Sequence, residues 1–205
     1  MASVKLTKNE LKAQKDALKR FERYLPTLQL KKQQLQTVIM KVASEVEQKE
    51  KERQKAIGGL DDWVAVFAEN KLFDEKSKIE HLVIPDSVIC STDNVAGVNI
   101  PVFKELTFKD ISYDVADYPL WVDEALVRMR DIARLDMLVE TLKKQEELLG
   151  RELRFTSQRV NLFEKVKIPE AKENIRVIGI YLGDQQTSAV VRGKIAKGKR
   201  QVVSE

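Results

Sequence analysis

From Leu11 onward, apolar residues recur at coiled-coil spacing: Leu11, Leu18, Phe21, Leu25, Leu28, Leu35, Ile39, Val42 and Val46. This is the seam of a helix that buries one narrow face against a single partner helix. Gln14, Lys32 and Lys49 interrupt it. Ahead of the seam, Thr7 and Glu10 have the spacing of a capping box, in which a hydroxyl and a carboxylate satisfy the first free amides of a helix. Behind it, EVEQKEKERQKA is built of strong helix formers and runs to Gly58-Gly59, a stop signal. About fifty residues at 1.5 Å each make a rod of roughly 75 Å. Pro26 falls inside this run and predicts a bend, since it removes one backbone hydrogen bond while the seam keeps its register.

A second seam reads Leu126, Met129, Ala133, Leu135, Leu138, Leu142, Leu149, Leu153, Val160 and Phe163. Its helix is expected to start near Pro119, followed by Asp123 and Glu124, residues suited to a helix N-terminus. Gln145 to Leu149 and Leu149 to Leu153 are two successive steps of four, a stutter that locally unwinds a left-handed coil. The helix is expected to continue through Pro169, a second bend, to about Leu182.

The intervening stretch differs in character. Residues 60–70 predict a short helix with Trp63, Val66 and Phe67 on one side. Two β-branched runs, about Val88–Val95 and Val98–Phe108, flank Ala96-Gly97 and predict a β-hairpin carrying Gly97 and Pro101. The fold class is therefore mainly α: a long antiparallel two-helix coiled coil formed by N- and C-terminal helices, with a small central α+β module containing a β-hairpin. The expected divisions are an N-terminal helix over 1–58, a central module over 59–117, a C-terminal helix over 118–185 and a basic tail over 186–205. With the two ends level, facing residues have numbers that add to roughly 190.

Composition supports a helical shaft. Of 205 residues, 8 are Gly and 5 are Pro, few for a chain with many turns. The 36 basic and 32 acidic residues leave a net charge of +4; they interleave as on solvated helix faces, which argues against a nucleic-acid stripe. One cysteine, Cys90, excludes an internal disulfide; in an apolar strand it is expected to be buried. No apolar run is long enough to span a bilayer, and the N-terminus lacks the apolar core of a signal peptide. A cytosolic chain with no direct membrane insertion is the expectation.

No catalytic constellation emerges. GKIAKGKR has no hydroxyl after its lysines and follows no strand, so it is no phosphate-binding loop. One histidine, His81, and one cysteine do not make a zinc cage; His81 reads as a loop or strand-edge residue. Asp61-Asp62 reads as a helix start rather than a catalytic pair. No catalytic residue, cofactor, metal or bound nucleotide is expected.

Three segments carry a resemblance. KLTKNELKAQKDALKRFERYLPTLQLKKQQL opens the chain, NVAGVNIPVF lies at 94–103, and RVNLFEKVKIPEAKENIRVI at 159–178 has Arg159, Val160, Asn161, Leu162, Glu164, Ile168 and Pro169 in the pattern RVNALE-x-x-x-IP. In this order they resemble the D subunits of the V/A-type ATPases. Two stretches depart from that pattern: YLPTL at 24–28, where the family often has glycine, and LGDQQTSAVVRGKIAKGKRQ at 182–201, which is less charged at its start.

The resemblance implies a central rotor stalk that couples ATP synthesis or hydrolysis to ion movement. Its implied partners are a ring of catalytic A and B subunits (A3B3), the F subunit of the stalk, and the C (eukaryotic d) subunit, which links it to the membrane rotor. Arg159, Asn161 and Glu164 are expected to touch the ring or pin the coil. Arg192, Lys194 and Lys197 are expected to meet acidic groups or to form a solvated tail. The rival readings are a coiled-coil scaffold outside the ATPases, a nucleic-acid-binding helical arm, and an enzyme with its site in the central module.

Overall fold

The computed structural model describes residues 4–61, 79–113, 118 and 121–203, leaving aside the side chains of 61, 79, 80 and 199–203. Helix α1 spans Lys8–Asp61, a 3₁₀ turn Ile79–Leu82, strand β1 Pro85–Val95, strand β2 Val98–Phe108, and helix α2 Val122–Leu162. A π-helical turn over Phe163–Lys167 then leads into α3, Ile168–Val203. The chain is mainly helical, with a long helix at each end and a two-stranded antiparallel hairpin between them. It divides into two compact units: Gln33–Arg154, and Met1–Lys32 together with Phe155–Glu205.

In the unit Gln33–Arg154, α1 and α2 face each other across a common core. Leu35, Val42, Val46, Leu142 and Leu149 are buried with Ile100 of the hairpin, and Leu138 and Leu153 pack at its edge. Each buried leucine contributes about 1.5–3 kcal/mol. Arg53 pairs with Asp136, and Lys143 Nζ reaches Glu50 Oε1 at 2.6 Å. Both pairs have numbers that add to close to the roughly 190 expected of an antiparallel pair. A second cluster joins Leu82, Val122 and Leu126 with Tyr113, Tyr118 and Trp121.

The hairpin closes through Ala96 and Gly97, whose φ of 51° and 82° are both positive. That is the signature of the turn whose twist matches the strands it joins. Asn94 Oδ1 accepts from Gly97 N at 3.1 Å, and Asn94 Nδ2 donates to Asn99 Oδ1 at 2.6 Å. β2 is the strand that packs on the helices, through Ile100 and Leu106.

In the other unit, the first turn of α1 is capped as the sequence predicts: Glu10 N donates to Thr7 Oγ1 at 3.2 Å. Phe21 lies 5.2 Å from Phe163, ring centre to ring centre, and Lys172 Nζ reaches Glu22 Oε1 at 3.2 Å. These numbers again add to about 190, so the pairing is antiparallel here too. Thr156, Val160, Ala171 and Ile178 are buried.

Several expectations change. Gly58 and Gly59 do not stop α1, which runs to Asp61; neither takes a positive φ, and a helical glycine costs only about 1 kcal/mol. Cys90 is exposed, not buried, because a two-stranded sheet has one packed face and β2 supplies most of it. The end expected near Leu182 is not an end: α3 stays helical through Val203. After Pro169 no proline follows, and Ala, Gln, Lys and Arg favour helix. His81 lies exposed in the 3₁₀ turn. The predicted helix with Trp63, Val66 and Phe67, and also Asp62 and Pro119, lie outside the described residues.

Candidate interaction surface

The segment 159–169 is the most distinctive stretch of the sequence, and its geometry follows from one residue. Pro169 has no N–H, and its ring collides with the carbonyl four residues back in a regular helix. The chain avoids this with a turn one residue wider: Ile168 N–H bonds to Phe163 O, five positions earlier. Such single-turn π segments are inserted into α-helices where a local demand overrides regular pitch. The half-buried positions then advance in steps of four, from Phe163 to Lys167, and on to buried Ala171. Phe163 thereby keeps its ring against Phe21.

Val160 is buried against the seam, while Arg159, Asn161, Leu162 and Glu164 are exposed. Arg159 and Asn161, two positions apart on the helix, flank Val160 on opposite sides. Other exposed apolar side chains lie along the same helices: Phe155 and Val166, then Val177, Ile180 and Tyr181 farther along. Salt bridges here are helix-surface pairs, such as Lys167 Nζ to Glu170 Oε2 at 3.2 Å and Arg176 to Glu173 at 2.7 Å. The Arg176 guanidinium, by hydrogen bonding and charge, holds the Glu173 carboxyl below its ordinary value of 4.5. Pairs of this kind, open to water on the helix surface, add little to stability.

Pro26 is exposed and lies within α1, which continues as helix on both sides of it. Beyond Leu182, every residue of α3 up to Gly198 is exposed. This stretch includes Arg192, Lys194 and Lys197, and also Val190, Val191 and Ile195. The structure thus leaves Arg159, Asn161 and Glu164 exposed around buried Val160 and places the basic residues roughly eight helical turns farther along.

Gly97 forms the hairpin turn. Pro101 lies in β2 opposite Thr92, and its carbonyl accepts from Gln145 Nε2 on α2. Gln145 is 6% exposed. In the sequence it is one step of the stutter; its anchoring of the hairpin has no sequence signal beyond a polar residue in an apolar seam. Tyr113 OH donates to Asp123. That hydrogen bond, followed by burial and the carboxylate's charge, raises the phenol above its ordinary value of 10.0.

Among the described residues, no group of three or more His, Cys, Asp or Glu side chains could hold a metal ion. No described helix is long and apolar enough to cross a membrane. The arrangement defines a class: antiparallel helix pairs with a two-stranded hairpin packed on one of them. The family model for the ATP synthase D subunit matches residues 10–198. The chain belongs to that family. It is 50% identical over 197 residues to the V-type ATP synthase D subunit of Borreliella burgdorferi, covering 96% of this chain and 95% of that one. Those of Chlamydia abortus and Chlamydia pneumoniae are 36% and 32% identical, covering 98% and 96% of this chain and 95% and 92% of theirs.

Proposed function

We propose that this chain is the central rotor shaft of a V/A-type ATP synthase, a non-catalytic component that couples the ring of A and B subunits to ion translocation by the membrane rotor. The observation that carries this reading is the segment 159–169. In a member of the D-subunit family, it buries Val160 in the seam and turns Arg159, Asn161 and Glu164 outward.

A shaft must be asymmetric, so that each rotor angle favours a different conformation of the surrounding subunits. The coupling is then a difference in contact free energy between rotor positions. Unlike outer faces along α1, α2 and α3 meet that need. The F subunit would bind along the shaft's flank, and the C subunit would seat the end bearing the central module. The exposed basic residues Arg192, Lys194 and Lys197 would meet acidic groups of the ring through contacts weakened by salt. The chain would work at the cytoplasmic side, peripheral to the membrane, without binding nucleotide, nucleic acid, metal or cofactor itself.

The test is reconstitution with the A, B and F subunits of the same complex. One copy of this chain is expected to co-elute with a three-plus-three ring and to change its ATP turnover. Elution apart from a well-formed ring overturns the proposal. Retention with unchanged turnover reduces the chain to a scaffold.

A further inference from the structure

The hairpin has two outer edges, and they differ. Val95 and Val98 flank a two-residue turn and so form a hydrogen-bonded pair. Ladder bonds are therefore exchanged at Val95, Asp93 and Ser91, while the backbone groups of Thr92 and Cys90 face away from β2. By the same alternation, Pro101, opposite Thr92, faces its backbone away from β1. The outer edge of β2 is thus closed at its middle: Pro101 has no N–H to offer, and Gln145 Nε2 occupies its carbonyl. Ile100 and Leu106, on the same strand, are buried.

Among the described residues, the outer edge of β1 has no such closure. Nine of its eleven residues are exposed, including Val88 at 42% and Ile89 at 45%. The strand has no proline after its first residue, and no lysine or arginine at all. Its pairing with β2 is irregular between Pro85 and Ser87 and between Ile89 and Cys90 and regular from Cys90 to Val95; an open edge over that regular stretch, without basic blockers, is a template for another strand, and a lone two-stranded hairpin is marginal without further support.

Charge selects the occupant. β1 carries Asp86 and Asp93 and no basic residue, although the chain as a whole is net basic at +4. A second copy would bring four carboxylates and no β1 cation to one seam, and like charges across strands are destabilising.

We propose that the free edge of β1 is a docking site for an extended segment of a neighbouring protein in the complex, one that carries lysine or arginine and adds a third strand to the hairpin. Main-chain bonds at Cys90 and Thr92 give the affinity, and the two aspartates give the preference for a basic strand. The inference rests on the chain's place in a V/A-type complex.

Cys90, the single cysteine, is exposed on this strand and supplies the probe. The chain is labelled there with a benzophenone maleimide, assembled with the A, B, F and C subunits, checked for incorporation by size exclusion, and illuminated. A covalent product with one of those four is expected. Thr92→Pro removes an edge donor that the hairpin does not use, and is expected to lower that product at least fivefold while incorporation persists. Asp86→Lys with Asp93→Lys, which leaves the backbone intact, should lower it similarly. An assembled complex that gives no inter-chain product, or gives a product between two copies of this chain, overturns the proposal. So does a yield unchanged in both variants. Failure of the labelled chain to enter the complex overturns the shaft reading itself, and this inference with it.

Discussion

Gln145 joins the seam to the hairpin, and replacing it separates two contributions that its burial combines. The side chain is 6% exposed and sits between Leu142 at 7% and Leu149 at 0%. Its Nε2 donates to Pro101 O. Gln145→Leu keeps most of the volume and removes the donor. Stranding a half-buried carbonyl costs about 1–3 kcal/mol, and the added apolar burial returns about 1 kcal/mol. The net loss expected is about 1 kcal/mol. Gln145→Ala removes the donor and the packing together and should cost roughly 2–4 kcal/mol.

Urea unfolding followed by helical circular dichroism gives both values. Hydrogen exchange at the Ser91 and Asp93 amides isolates the hairpin, because those amides face β2. If the anchor holds the hairpin on the helices, their protection falls by about tenfold in Gln145→Leu, the equivalent of about 1.4 kcal/mol. A Gln145→Leu protein as stable as the parent, with those amides unchanged, would refute the assignment of Gln145 as the anchor.

Three further outcomes are expected. Leu149→Ala, at a fully buried seam position, should lower stability by about 2–3 kcal/mol in urea; the low half of the usual range applies because a two-helix layer collapses readily around a cavity. Gly97→Ala, at φ 82°, should cost about 1 kcal/mol or more by the same assay, since a side chain is strained there. Tyr113 has its phenol raised above 10.0 by Asp123, so its contribution is complete below pH 10 and lost as pH rises through the raised value. The stability difference between the parent and Tyr113→Phe should therefore be constant from about pH 7 to 9 and shrink above about 10.

Regular periodicity makes the helices and their pairing legible. Leu35, Val42, Val46, Leu142 and Leu149 are readable as seam residues, and all five are buried. Ala96-Gly97 marks the turn, because few residue pairs accept two positive φ angles. What fails rests on weaker signals. Gly58-Gly59 resembles a stop, but glycine costs too little to end a helix by itself. Cys90 sits in an apolar strand, yet which face of a hairpin packs depends on tertiary contacts that the strand does not encode. The proline at 169 predicts a disturbance; its form, a wider turn that carries Phe163 on to Phe21, depends on what the opposite helix offers. The outward set at 159–164 is legible as a motif, but its direction requires the burial of Val160.

The energetics bear on why the outer faces are free to serve partners. Inter-helix ion pairs such as Lys143–Glu50 and Lys172–Glu22 have both side chains at least 44% exposed, where such pairs are worth about 0–1 kcal/mol. The pairing of the helices therefore depends on the apolar seam, a narrow stripe on each helix. Substitutions on the outer face disturb almost nothing that holds the pair together, so Arg159, Asn161 and Glu164 are under little demand from the fold. Their occurrence in a distinctive motif, next to a proline that imposes a wider turn, then calls for a cause outside this chain. Under the proposed function, a surface gripped by surrounding subunits supplies one.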